Sequence, residues 1–261
     1  IRWYKKTMEE KISKWGSHFH KIRKFVPIAP NQGTTLHISA WKQKYSNVTH
    51  RLSRAVGKGD NFSAVYKGFE IREAALKDLR NGELKYDVVL NDSLWGWPEH
   101  RINLHHRLKE LHQKDYRIHS ILNWTAPTEC DGSLEKVINP NDFPIKTSAI
   151  DQSYEVMLSH SRLAVFACGF HWGWRNIMML ALNAGIPVLT DRLLTEPYFD
   201  MTEFTIFQQE SNTWETVEPM LASINEEQWM SYRLQNQSVY DKYMAPESVA
   251  AYFLHSLEQT L

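Results

Sequence analysis

The residues best suited to chemistry in this chain of 261 residues lie between Gly169 and Asn176, in the stretch GFHWGWRN. Arg175 stands at the head of an apolar segment, and its planar guanidinium fork matches phosphate oxygens better than an ammonium does. Gly169 and Gly173 let the backbone approach a ligand closely, and Phe170, Trp172 and Trp174 could stack on a base or sugar ring. His171 is the one group of this stretch that titrates near neutrality, which suits acid–base work. Each feature has a plainer use: the aromatics could plug the fold, His171 could be polar surface, and Arg175 could pair with a carboxylate. A second arginine, Arg101, opens another helical stretch after Asn91–His100. For Arg101 a carboxylate partner is the expected role, whereas for Arg175, set among glycines and aromatics, ligand binding is expected.

The positions of these residues follow from the elements around them. Leu163–Ala167 and Pro187–Thr190 are continuous apolar runs, the mark of parallel strands covered on both faces, and Asn176–Asn183 between them reads as a helix. The same order recurs upstream. Strand Tyr86–Leu90 leads through the loop Asn91–His100 to a helix from Pro98, with Leu104, Leu108 and Leu111 on one face, and then to strand Arg117–Asn123. Helix Gln152–Ser159 precedes Leu163, and a short strand Phe204–Phe207 follows Asp191. Helices over Trp214–Ile224, Glu226–Tyr243 and Pro246–Leu261 close the chain. Strand–helix–strand units of this length cross over right-handedly, and ligands of such open sheets bind at the carboxyl ends of the strands. The expected fold is therefore an α/β, Rossmann-like open parallel sheet flanked by helices, with a helical C-terminal tail. Both arginines would then sit at helix N-termini, where unpaired N–H groups and the helix dipole favour an anion.

Residues 69–261 form this expected domain. Residues 1–68 read as a basic N-terminal segment with a helix or paired short helices over 1–24, short strands Phe25–Ile28 and Thr35–Trp41, and a polar stretch whose Gly57–Gly59 lacks the context of a phosphate loop. A further helix is expected over Phe69–Leu79. The long stretch 124–150, carrying Pro127, Pro140 and Pro144, is of a length usually reserved for function or mobility.

Composition narrows the function classes. Hydrophobic residues make up 43% and aromatic ones 12%, enough for a proper core, and the formal net charge is zero. The charge is nevertheless segregated. The first 60 residues hold 13 Lys/Arg against 3 Asp/Glu, and residues 193–261 hold 2 against 11. Such asymmetry suits an anionic partner such as a phosphorylated substrate or an anionic membrane surface, or else the mutual packing of the two ends. Nucleic-acid binding is not expected, because no motif for it accompanies the basic segment. Two cysteines, Cys130 and Cys168, fit a reducing, cytoplasmic setting, with membrane contact at most peripheral, since no apolar run is long enough to span a bilayer. The five Asn-x-Ser/Thr triplets carry no weight in that setting. The sequence has no HExxH, paired CxxC, Walker-type loop, Gly-x-Ser-x-Gly or Asp-x-Asp, which sets aside the common metalloprotease, zinc, NTPase and esterase classes.

The segment GFHWGWRNIMMLALNAGIPVLTD resembles the donor-site segment of GT-B glycosyltransferases, the exostosin-like and spore-maturation-like members most nearly. DVVLNDSLWGWPEHRINLHHRLKEL and SYEVMLSHSRLAVF resemble other parts of the same C-terminal lobe, and the likeness covers roughly residues 85–260. It implies a hexosyltransferase that takes a nucleotide sugar as substrate, needs no cofactor or metal, and acts on a glycan or lipid-linked acceptor in polysaccharide biosynthesis. By the same resemblance Arg175 binds the donor diphosphate, and His171 and Asn176 lie near the sugar or phosphates. Lys136 or Lys146 adds a positive charge, the backbone of Ile145–Thr147, with Lys146 and Thr147, meets the base, and Asp191 and Glu196 lie near the sugar. The sequence departs from the family where many retaining members carry a glutamate: Leu180 stands in the helix and Trp172 eight residues earlier. A GT-B enzyme also has two lobes, and 261 residues is short for both. A non-catalytic nucleotide or sugar-phosphate binding module is therefore the alternative, with a phosphate-ester hydrolase a third reading that the lack of an acidic metal cluster disfavours.

Overall fold

Four runs of β-branched and aliphatic residues form the centre of the structure because they can bury both faces at once. The computed structural model describes residues 77–94, 98–123, 152–168, 174–194 and 197–258. After a short 3-10 turn at Leu79–Asn81, its elements are β1 (Tyr86–Ser93), α1 (Pro98–His112), β2 (Ile118–Asn123), α2 (Gln152–Ser159) and β3 (Ser161–Phe166). They continue with α3 (Asn176–Ala184), β4 (Val188–Asp191), β5 (Ile206–Gln209), α4 (Val217–Ser223), α5 (Glu226–Tyr243) and α6 (Pro246–Glu258). The five strands form one sheet in the order β2-β1-β3-β4-β5. Every pairing is parallel. Val88, Val89, Leu90, Leu163, Ala164, Val165, Phe166, Val188 and Leu189 are shielded from solvent almost completely.

Helices cover both faces. From the centre, the chain steps to β2 on one side of β1 and from β3 to β4 on the other. Two right-handed crossovers that step in opposite directions place their helices on opposite faces. Helix α1 seals one face with Leu104, Leu108 and Leu111, all fully buried, as their spacing predicts. On that side Glu218 of α4 accepts from Arg107 at 2.7 Å and from Lys114 at 2.9 Å. On the other face α2, α3 and α5 pack together. Helix α3 ends at Gly185, which adopts φ 88° and whose N–H is taken by Leu182. An N-terminal capping box, Asn225 with Gln228, starts α5. Arg233 of α5 is buried and donates to the carbonyls of Ser159 (3.1 Å) and Arg80 (2.7 Å), tying the amino edge of the sheet together.

The architecture is the expected Rossmann-like open parallel sheet with helices on both faces and a helical tail. The strand boundaries differ in an instructive way. β1 runs to Ser93, so Asn91, Asp92 and Ser93 belong to the strand and not to the loop expected over Asn91–His100. Backbone pairing explains this. Asp92 and Ser93 stay in register with Leu122 and Asn123, and ladder hydrogen bonds do not depend on side-chain polarity. β5 lies two residues later than its apolar run suggests, at Ile206–Gln209. The elements expected over 1–68 and most of 69–79, and the stretch 124–150, lie outside the described residues.

Candidate functional site

The sheet order places a switch point between β1 and β3, where successive crossovers leave in opposite directions and open a crevice at the carboxyl edge. Asp92, one residue from the end of β1, lies there with a side chain only 2% exposed. Two arginines reach it. Arg101, in the first turn of α1, donates from Nη1 to Asp92 Oδ1 at 2.7 Å. Arg175, the N-cap of α3, donates from both terminal nitrogens, Nη1 to Oδ2 and Nη2 to Oδ1, each at 2.7 Å. This bidentate pair uses the full fork of Arg175 and bridges residues 83 positions apart. Nη1 also donates to the Ala167 carbonyl at 3.3 Å, beyond β3. The guanidinium lies 6.0 Å from the centroid of the Phe166 ring.

The charge states follow from this arrangement. Burial works against the charge of Arg175, but Asp92 more than offsets it and holds the guanidinium above its ordinary pKa. Arg101 keeps 7% of its side chain exposed, against 18% for Arg175. Burial, with Arg175 nearby, pushes it down to about 10 against the pull of Asp92. Both remain cationic at neutral pH, so the two arginines and Asp92 together carry one net positive charge. Tyr154 of α2, buried beside them, has its hydroxyl pushed above the usual range by loss of solvent.

A second cluster joins the same edge. Asp191, the last residue of β4 and buried, accepts at Oδ2 from the backbone N–H of Cys168 (3.2 Å). The same oxygen lies 3.3 Å from Nδ1 of His100, in the first turn of α1. His100 keeps 17% of its side chain exposed, while the Asp191 side chain keeps 3%. Cys168 lies between the clusters: burial, and then the carboxylate of Asp191, push its thiol up to about 12, so it is protonated and a poor nucleophile. The carbonyl of His100 is held at 2.9 Å by the indole N–H of Trp214. Trp214 is fully buried and has φ 59°, a left-handed conformation that bulky residues rarely adopt.

Of the residues singled out in the sequence, Arg101, Arg175 and Asp191 thus meet at one edge of the sheet. Arg101 is buried against Asp92, the pairing expected of it. Arg175 has the same carboxylate partner, the plainer of the two roles named for it and not the one expected. Asn176 begins α3, and its side chain lies outside the described residues. Gly169, His171, Trp172, Gly173, Lys136, Lys146, Thr147 and Glu196 also lie outside them. Trp174 meets the buried Phe199 edge-on, with ring centroids 6.3 Å apart, and so joins an aromatic cluster with Phe204 and Tyr243. Leu180, which stands where many retaining members of the resembled family carry a glutamate, is a core residue of α3, 5% exposed. The sequence reading missed Asp92, His100, Tyr154 and Trp214. For His100 a usable signal existed, a histidine adjoining an arginine in the first turn of a helix; for Trp214 there was none.

No family model and no curated protein matches the chain. Among solved structures, "Trehalose-6-phosphate from E. coli bound with UDP-2-fluoro glucose" is similar at a TM-score of 0.48 and 11% identity, over 73% of this chain and 51% of that one. The N-terminal domain of a Candida albicans trehalose-6-phosphate phosphatase is similar at 0.46 and 11%, over 90% and 50%. The catalytic domain of Starch Synthase IV from Arabidopsis thaliana, bound to ADP and acarbose, gives 0.39 and 15%, over 69% and 40%. The chain spans about half the length of the first two. All three fall below a TM-score of 0.5, and none transfers an activity to this chain.

Proposed function

We propose that the chain binds a nucleotide sugar at the β1/β3 switch point and acts as a glycosyltransferase of the GT-B type, passing the sugar to a glycan or lipid-linked acceptor. One observation carries the reading: two arginines, Arg101 and Arg175, converge on this crevice from the N-terminal ends of two helices. A departing nucleoside diphosphate gains negative charge as the glycosidic bond breaks, and fixed cations at a helix N-terminus stabilise that charge. In this reading the diphosphate is met by Arg175 rather than by a metal bridge. Asp92 holds the fork in place until the phosphate arrives, and Arg101 supports Asp92 from behind. Gly169, His171, Trp172, Gly173 and Asn176 surround the sugar and phosphates, Lys146 and Thr147 meet the base, and Asp191 and Glu196 lie toward the sugar. The basic first 60 residues suit peripheral contact with an anionic membrane surface; no described helix is long and apolar enough to cross a membrane.

A second reading, a non-catalytic module that binds a nucleotide or sugar phosphate, is favoured by Leu180, a core residue where many family members carry a carboxylate. Titration with UDP, GDP, dTDP and CMP, followed by calorimetry and thermal shift, tests what both readings share. At least one nucleotide should stabilise the protein, and Arg175→Ala should abolish the effect while the far-ultraviolet spectrum stays folded. Failure of all four at millimolar concentration would remove the transferase reading and the nucleotide-binding form of the module. Release of nucleotide from the matching sugar nucleotide then separates transferase from module.

A further inference from the structure

Three elements meet at His100. Its imidazole Nδ1 faces Asp191 Oδ2 at 3.3 Å, and that oxygen is itself fixed by the Cys168 N–H at 3.2 Å. Its carbonyl is gripped by Trp214, a buried residue held in a left-handed conformation. A partly exposed histidine whose ring is oriented by a buried carboxylate and whose backbone is pinned by a strained residue has the parts of a positioned acid–base group. Arg101, the next residue, reaches Asp92, so His100 shares the first turn of α1 with the arginine pair.

We infer that His100 is the general base of this site, with Asp191 as its positioning residue. The inference rests on the transferase reading above. With Nδ1–H donating to Asp191 Oδ2, Nε2 is the ring nitrogen left to take a proton. As an acceptor hydroxyl attacks the anomeric carbon, the new carbon–oxygen bond forms and the bond from that carbon to the diphosphate oxygen breaks. The electron pair leaves on the nucleoside diphosphate beside Arg175. The hydroxyl proton passes to Nε2, the imidazolium is balanced by Asp191, and the proton then returns to solvent. This is a single displacement, so the anomeric configuration inverts.

The test uses the full chain and follows nucleotide release from UDP-glucose, GDP-mannose and dTDP-glucose, with water or a supplied sugar as acceptor. His100→Gln should lower kcat by about 100-fold or more with KM within about threefold. It should also bind the matching nucleoside diphosphate as the parent does. Free imidazole should restore turnover to His100→Ala, a rescue that a merely structural histidine would not show. Asp191→Asn should lower kcat by less than His100→Gln, and the product should have inverted configuration. A kcat for His100→Gln within threefold of the parent, or a product of retained configuration, overturns the inference. So does a parent protein that binds a nucleotide but turns over none of the three donors; in these cases nucleotide binding at Arg175 survives. If no nucleotide binds at all, the proposed function falls and takes this inference with it.

Discussion

Asp92→Asn is the perturbation that most directly probes how the switch point is held. The carboxylate is 2% exposed and accepts three charge-assisted hydrogen bonds of 2.7 Å, one from Arg101 and two from Arg175. The amide keeps one acceptor oxygen but loses the charge, leaving two buried or half-buried guanidinium groups with no carboxylate between them. Removing one partner of a buried ion pair costs roughly 3–5 kcal/mol, and the retained oxygen places this variant near the lower end, about 3 kcal/mol. For a chain of this size that is a fall of about 6–12 °C in Tm. Urea titration should show the midpoint falling with an unchanged slope. A double-mutant cycle with Arg175→Gln should return a coupling of about 1.5–3 kcal/mol, since the two residues share two of the three bonds. A nucleoside diphosphate that binds here should raise the Tm of Asp92→Asn more than that of the parent, because the anion supplies the missing charge. Refutation would be a loss under about 1 kcal/mol together with additivity to within about 0.5 kcal/mol, for then Asp92 does not hold the arginines in solution.

Two further outcomes follow from the structure. His105 of α1 is buried with Nδ1 2.8 Å from the Ser120 hydroxyl, and burial, with Lys109 and His106, pushes its pKa down to about 4. A histidine depressed below its unfolded value of about 6.5 leaves the unfolded chain binding the extra proton between those values, so its stabilisation is complete above about pH 6.5 and is lost as pH falls toward 4. The loss is on the order of 3 kcal/mol, and His105→Asn should flatten the slope of unfolding free energy against pH in that window. Gly185 has φ 88°, and a Cβ there would lie 2.6 Å from the Arg233 carbonyl oxygen and 2.8 Å from its Cα. Gly185→Ala should therefore cost about 2–4 kcal/mol in chemical denaturation, with the separation of α3 and α5 as its cause.

The sequence by itself determined the α/β class, because burial on both faces of a parallel strand demands an unbroken apolar run. Val88–Leu90, Leu163–Phe166 and Val188–Leu189 are such runs. It also determined the start of α1 at Pro98 and the face carried by Leu104, Leu108 and Leu111, since helical period and proline's fixed φ are local properties. What it did not contain was the partner of each polar group. Asp92 reads as loop by its polarity, yet it is strand because β2 lies beside it, and only the sheet order brings it to Arg175, 83 residues away. His100 and Asp191 are 91 residues apart and meet because the first turn of α1 and the end of β4 share the carboxyl edge of the sheet. The left-handed Trp214 is likewise invisible locally, since no short-range preference favours it, while its burial and its bond to His100 are tertiary. Periodicity reports which face a residue shows; the crossings of the chain decide what it faces, and here they bring two arginines and a histidine to one edge of the sheet.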